Sequence, residues 1–91
     1  KEILNQTARF YNLKPSDLVG PKRNRGLVRP RQITMYLVRE YLKTPLVSVG
    51  QLLGGRDHTT IMHGVKTIEA EMKKSNEVAK EVEEIKNTIF N

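Results

Sequence analysis

The sequence predicts an all-helical fold, and three observations lead there. Apolar residues recur near the 3.6-residue period in one segment after another. Proline-containing stretches and a glycine pair fall between these segments and punctuate them. Alternating runs of polar and β-branched residues, the mark of strands, are absent.

Taken in order, residues 1–13 read as a helix, because Ile3, Leu4, Ala8 and Tyr11 fall near one face and no Gly or Pro interrupts them. Lys14-Pro15-Ser16-Asp17 breaks the pattern. Pro15 is placed to open a short helical turn through Leu18 and Val19, which Gly20-Pro21 ends. A basic loop at about residues 20–31 follows, with little helix or strand character. Arg29-Pro30 then opens a long helix running to about Lys43, with proline at the first helical position, where its missing N–H has no intrahelical partner to lose. The apolar residues Ile33, Met35, Tyr36, Leu37, Val38, Tyr41 and Leu42 lie nearly all round this helix, which places it at the centre of the fold.

Thr44-Pro45 stops that helix and starts another, striped with Leu46, Val49, Leu52 and Leu53. Gly54-Gly55 ends it with backbone freedom. Asp57 is a good N-cap for the next helix, whose Ile61, Val65, Ile68 and Met72 form a buried stripe. Ser75 or Asn76 caps a last helix with Val78, Val82, Ile85 and Ile89 inside and Glu77, Lys80, Glu81 and Lys86 outside. The aromatic side chains Phe10, Tyr36, Tyr41 and Phe90 read as packing groups rather than base-stacking platforms.

At 91 residues the chain is sized for one domain, residues 1–91. It holds no Cys, so disulfides and thiolate metal sites are excluded. No apolar run approaches the roughly 20 residues of a membrane span. The opening Lys1-Glu2-Ile3-Leu4-Asn5 has no signal-peptide pattern and starts in helical rhythm without Met, which suggests a piece of a longer protein. The net charge of +6 is uneven: residues 1–45 carry +7, residues 46–74 carry +1, and residues 75–91 carry −2. Such polarity suits a polyanion on one face, although solubility alone also accounts for a basic chain.

The functional signal lies in residues 46–73, where a short helix, a glycine turn and a longer helix form a helix-turn-helix. In that layout the second helix enters the major groove of DNA and its first residues meet base edges. Here those residues are Asp57, His58, Thr59 and Thr60. Asp accepts from cytosine N4, Thr offers a methyl or a hydroxyl, and His donates to a base acceptor. Thr59, His63, Lys66 and Thr67 lie opposite the apolar stripe and face water or DNA. The plainer alternative is an N-capping Asp on an ordinary amphipathic helix. The second signal is the loop. Residues 22–31 hold five basic groups (Lys22, Arg23, Arg25, Arg29 and Arg31), and no acid occurs between Asp17 and Glu40. Arginines on a flexible arm suit a narrow minor groove; a merely solvated loop is the alternative. Arg29 and Arg31 flank a helix start, where only an anion gains from the dipole, so a bound phosphate would account for them. Enzymatic readings fail on spacing: His58 and His63 are not an i, i+4 metal pair, Gly54-Gly55 lacks the Lys-Ser/Thr of a phosphate-binding loop, and no nucleophile accompanies them.

Gly54-Gly55-Arg56-Asp57-His58-Thr59-Thr60-Ile61-Met62-His63 resembles the signature of the bacterial replication initiators of the DnaA family. Arg29-Pro30-Arg31-Gln32 and the basic loop before it are similar too. The resemblance covers nearly the whole chain as that family's C-terminal DNA-binding domain, and implies a small Trp-repressor-like helical fold. It implies binding of double-stranded DNA at DnaA boxes, similar to TTATCCACA, at the replication origin. It also implies base contacts by Arg23 in the minor groove and by Asp57, His58 and Thr59 in the major groove. Lys22, Arg25, Arg31, Gln32, Arg56, Thr60, His63 and Lys66 match positions on or near the backbone-contacting surface. Gly64-Val65 falls where the family varies, which leaves contacts beyond Lys66 open. No metal or cofactor is expected in this chain: ATP or ADP with Mg belongs to an upstream ATPase module, and other initiator copies associate through domains missing here. The resemblance places the protein in the cytoplasm with the nucleoid. A helix-turn-helix transcriptional regulator and a helical protein-interaction module are the alternatives.

Overall fold

The computed structural model describes residues 2–90, so the expected helix start at Lys1 lies outside the described residues. Six helices and no strand occur among them. Helix α1 spans Glu2–Phe10, α2 Pro15–Val19, α3 Arg25–Tyr41, α4 Leu46–Leu52, α5 His58–Lys74 and α6 Asn76–Phe90.

The first helix stops at Phe10, short of the expected residue 13, and Asn12 is the reason. Its backbone sits in the left-handed region at φ 58°, which Asn tolerates better than most residues. The Asn12 N–H then donates to the Arg9 carbonyl at 3.1 Å and the Leu13 N–H to the Ala8 carbonyl at 2.8 Å. This is the Schellman pattern that closes a helix end, built on Asn in place of Gly. Helix α2 forms where Pro15 opens it, and the Asp17 carboxylate accepts from the Lys14 N–H at 3.0 Å to fix its first turn.

The third helix corrects the sequence reading. It begins at Arg25, so Pro30 lies inside it and the irregular part of the basic loop shrinks to about residues 20–24. Leu27 drives the earlier start, because it is 5% exposed and packs into the core from what was read as loop. The proline removes one hydrogen bond, the one owed to the Gly26 carbonyl. Gly26 is exposed, which lowers the cost of leaving that carbonyl without a helical partner. The Thr34 hydroxyl donates to the Pro30 carbonyl at 2.9 Å. As expected of a helix apolar on several sides, α3 is central and packs against α1, α2, α4 and α5.

One hydrophobic cluster joins all six helices, with Leu18, Ile33, Leu37, Leu53, Ile61, Ile68 and Ile85 at its heart. Gly64 lets α5 approach α3 closely, since a Cβ there would collide with the Met35 sulfur. Ser75, rather than Asn76, caps α6, its hydroxyl accepting from the Val78 N–H at 3.3 Å. Three of the four aromatics read as packing groups lie at the surface instead: Phe10, Tyr41 and Phe90 are 40–44% exposed. They cover helix ends that outrun the core, and the Tyr41 and Phe90 rings shield each other at 5.4 Å between centroids. Tyr11 ties three helices together. Its hydroxyl donates to Glu81 at 2.7 Å, and Arg29 lies 3.7 Å from the same carboxylate. Burial, then the hydrogen bond to Glu81, holds its phenol well above the ordinary tyrosine range.

Candidate nucleic-acid interface

The turn between α4 and α5 is fixed by backbone contacts. Gly54 and Gly55 take φ values of 83° and 86°, in the region that L side chains avoid. The N–H groups of Gly55 and Arg56 both donate to the Gly50 carbonyl at 2.9 Å. Gly50 also lies so close under the Arg56 carbonyl that a Cβ would collide with it. The angle at which α5 leaves the turn is therefore set by close approach at Gly50 and by left-handed backbone at residues 54–55.

Asp57 is the N-cap of α5, as expected, its Oδ2 accepting from the Thr59 N–H at 3.2 Å. Its other oxygen lies 3.5 Å from Nδ1 of His58. Both side chains are more than half exposed, at 64% and 58%. Thr59, Thr60, His63 and Lys66 follow, all exposed, while Ile61, Gly64, Val65 and Ile68 turn inward. Thr67 is half-buried and its hydroxyl is spent on the His63 carbonyl at 2.8 Å. The helix thus presents a polar face on which Asp57 serves as the cap, Thr67 bonds back to the helix, and Thr59, Thr60, His63 and Lys66 stay exposed.

Lys22 and Arg23 are exposed on the loop, and Arg25 is exposed at the first position of α3. Arg23 and Thr60 line one open cleft of about 490 Å³, together with Gly20, Arg31, Gly54 and Arg56. The loop and the start of α5 are therefore neighbours, although some thirty-five residues of chain separate them. A second groove beside it is lined by Val28, Gln32, Met35, Thr60 and His63. Gln32 is half-buried there, between α3 and α5.

Arg31 is placed differently from the sequence expectation. It is 6% exposed, and its guanidinium donates to the carbonyls of Asp17, Leu18, Gly20 and Lys22. Burial, then the nearby charge of Arg56, pulls its pKa down, although a guanidinium keeps its proton in proteins. An outward, phosphate-facing Arg31 is corrected by this geometry: the carbonyls at the end of α2 lack intrahelical partners and take its donors. Arg56, also expected on the backbone-contacting surface, is half-buried and donates to the carbonyls of Leu18, Val19, Gly20 and Leu53, the first and third of them shared with Arg31. Two features escaped the sequence reading. One is this inward turn, which the lone pair of Arg residues flanking Pro30 did not signal. The other is Val28, which is 44% exposed and lines the groove with Gln32 and His63. A single Val in a basic stretch gives no pattern by which to find it.

The sequence profile of the family described as "Bacterial dnaA protein helix-turn-helix" matches residues 1–68. The chain belongs to the DnaA helix-turn-helix family. This DnaA-family domain is 49% identical over 86 residues to a protein of Lactococcus lactis subsp. cremoris, 42% over 89 residues to one of Ruegeria pomeroyi, and 40% over 88 residues to one of Thermomicrobium roseum. Each is named "Chromosomal replication initiator protein DnaA". The alignments cover 94%, 98% and 97% of this chain but 19% of each relative. These 91 residues are thus a helix-turn-helix DNA-binding domain and do not contain the ATPase module. No helix among the described residues of the DnaA-family domain is long and apolar enough to cross a membrane.

Proposed function

We propose that this domain binds double-stranded DNA sequence-specifically at DnaA boxes, short asymmetric sites similar to TTATCCACA, and so places an initiator at the bacterial replication origin for initiation and its regulation. The observation that carries this reading is the shared cleft of Arg23 and Thr60, which sets a basic loop beside the exposed start of a helix-turn-helix second helix. A recognition helix with a basic arm beside it suits adjacent major and minor grooves of one duplex. Asp57, His58 and Thr59 read base edges in the major groove, where each base pair presents its own donor and acceptor pattern. Arg23 enters the minor groove at the A·T-rich end, where a narrow groove concentrates negative potential. Lys22, Arg25, Gln32, Thr60, His63 and Lys66 contact the sugar-phosphate backbone and fix the register. ATP or ADP with Mg, and contacts to other initiator copies, belong to segments outside this chain, and the site of action is the nucleoid. The test is the affinity of the domain for a duplex carrying one box against a scrambled duplex, at physiological salt. A preference of roughly a thousand-fold or more is expected of a specific reader. Equal affinities would refute the reading.

A further inference from the structure

Two arginines from different elements converge on the end of α2. Arg31, in the second turn of α3, donates from Nε to the Leu18 carbonyl at 3.0 Å. Its Nη2 donates to the carbonyls of Asp17 at 2.8 Å and Gly20 at 3.0 Å, and its Nη1 to that of Lys22. Arg56, in the helix-turn-helix turn, donates from Nη1 to the carbonyls of Leu18 at 3.4 Å, Val19 at 3.3 Å and Leu53. Its Nη2 donates to that of Gly20 at 2.8 Å. The Leu18 and Gly20 carbonyls are thus shared by both side chains. A third contact needs no side chain: Gly54 lies so close to the Val19 carbonyl that a Cβ would collide with it.

We infer that Arg31 and Arg56 are positioning residues, a clamp that holds the Arg23 loop and the start of α5 in fixed relation through the last carbonyls of α2. The inference rests on the reading that these two elements meet DNA. The loop at residues 20–24 has no helix of its own; its ends are tied where the Gly20 N–H donates to the Ser16 carbonyl and the Asn24 carbonyl accepts from the Leu27 N–H, and Arg31 adds holds on the Gly20 and Lys22 carbonyls. The turn that aims α5 is held against the same carbonyl row by Arg56. Cationic groups are favoured at a helix C-terminus, where carbonyls lack intrahelical partners. Only arginine suits this work. Its rigid fork of five donors spans several acceptors at once, whereas lysine concentrates three donors on one atom. A phosphate contact tolerates lysine, because lysine also binds phosphate as a point charge. Lysine substitution therefore separates a clamp from a phosphate contact.

The experiment measures the affinity of the whole domain for a one-box duplex, with Arg23 and with Arg23→Ala, in three backgrounds: parent, Arg31→Lys and Arg56→Lys. In the parent, Arg23→Ala weakens binding by about ten-fold. With a clamp, both lysine backgrounds bind less tightly than the parent, and in each the loss on Arg23→Ala falls below about three-fold, a coupling of non-independent sites. If either folded lysine variant keeps the full effect of Arg23→Ala, the clamp is overturned and that arginine acts independently of the loop. Should Arg31→Lys not fold, as shown by circular dichroism, Arg56→Lys decides alone, since it leaves the bonds of Arg31 in place. A parent that does not prefer the box sinks the DNA-box reading instead. The clamp is then decided in the free domain by backbone ¹⁵N order parameters of Lys22, Arg23 and Asn24. A drop in both lysine variants supports it, and unchanged values overturn it.

Discussion

Asp57 has one oxygen on a backbone N–H and the other beside His58, so it caps α5 while its exposed carboxylate is left for the proposed base contact. A carboxylate aimed at DNA lowers affinity for every sequence, and a cytosine N4 amino group offsets that loss where the cognate base is present. Asp57→Asn keeps a capping oxygen, because Asn caps as well as Asp. It should therefore melt within about 0.5 kcal/mol of the parent, the range of a neutral surface change, yet lose discrimination between the box and a box altered at its cytosines. A variant that folds normally and discriminates as well as the parent would show that Asp57 is a cap alone. Thr7 poses the opposite case, a polar group with no visible task. It is 0% exposed and its hydroxyl has no hydrogen-bond partner. Thr7→Val keeps the shape and removes the desolvated hydroxyl, so it should stabilise the domain by roughly 1 kcal/mol, a rise of about 4–8 °C in Tm for a chain of this size. A lower Tm on calorimetry would mean that the hydroxyl has a partner in solution.

At the scale of elements, the helix-turn-helix turn is the most constrained part of the backbone. Gly54 combines a φ of 83° with contact against the Val19 carbonyl. Gly54→Ala should destabilise the domain by at least about 1–3 kcal/mol, the cost of holding a side chain in left-handed backbone, and should weaken box binding by shifting the start of α5. Gly55→Ala meets the same φ penalty but open space, so it should cost less; equal losses in urea melts would show that the α2 contact contributes nothing. The Gly54-Gly55 pair was legible from sequence because it interrupts a stripe that stops at Leu53 and resumes at Ile61. Asp57 was legible because a cap precedes that stripe. The ends of α1 and α3 were not. Asn12 closes α1 through a conformation Asn adopts only in context, and Pro30 lies inside α3 because burial of Leu27 outweighs one lost hydrogen bond. In both places tertiary packing decides between two locally acceptable structures. The inward turn of Arg31 was illegible for a related reason: its acceptors are carbonyls 9–14 residues away, which carry no side-chain signature.

At the scale of the whole molecule, the charge is sorted along the chain, with +7 on residues 1–45 and −2 on residues 75–91. Folding sorts it further by availability. The chain carries 16 Lys and Arg residues, ten of them in residues 1–45, but not all of the 16 are free to neutralise phosphates. Arg31 and Arg56 spend their donors on carbonyls of this chain, and Arg29 lies against Glu81. Around the proposed interface this leaves Lys22, Arg23, Arg25 and Lys66, all exposed. Each phosphate neutralised releases condensed counterions and contributes about −0.9 to the slope of log K against log salt. Four contacts give a slope near −3.6, whereas adding Arg31 and Arg56 would give a slope near −5.4. Titrating box binding between about 50 and 200 mM salt resolves these values, since they predict losses of roughly 150-fold and 1,800-fold over that range. A slope near −5.4 would mean that the two arginines leave α2 and reach DNA on binding. A slope near zero would remove DNA as the partner of the basic face. With the slope near −3.6, Lys66→Ala should shift it by about +0.9 while leaving box preference intact, because a phosphate contact carries no sequence information.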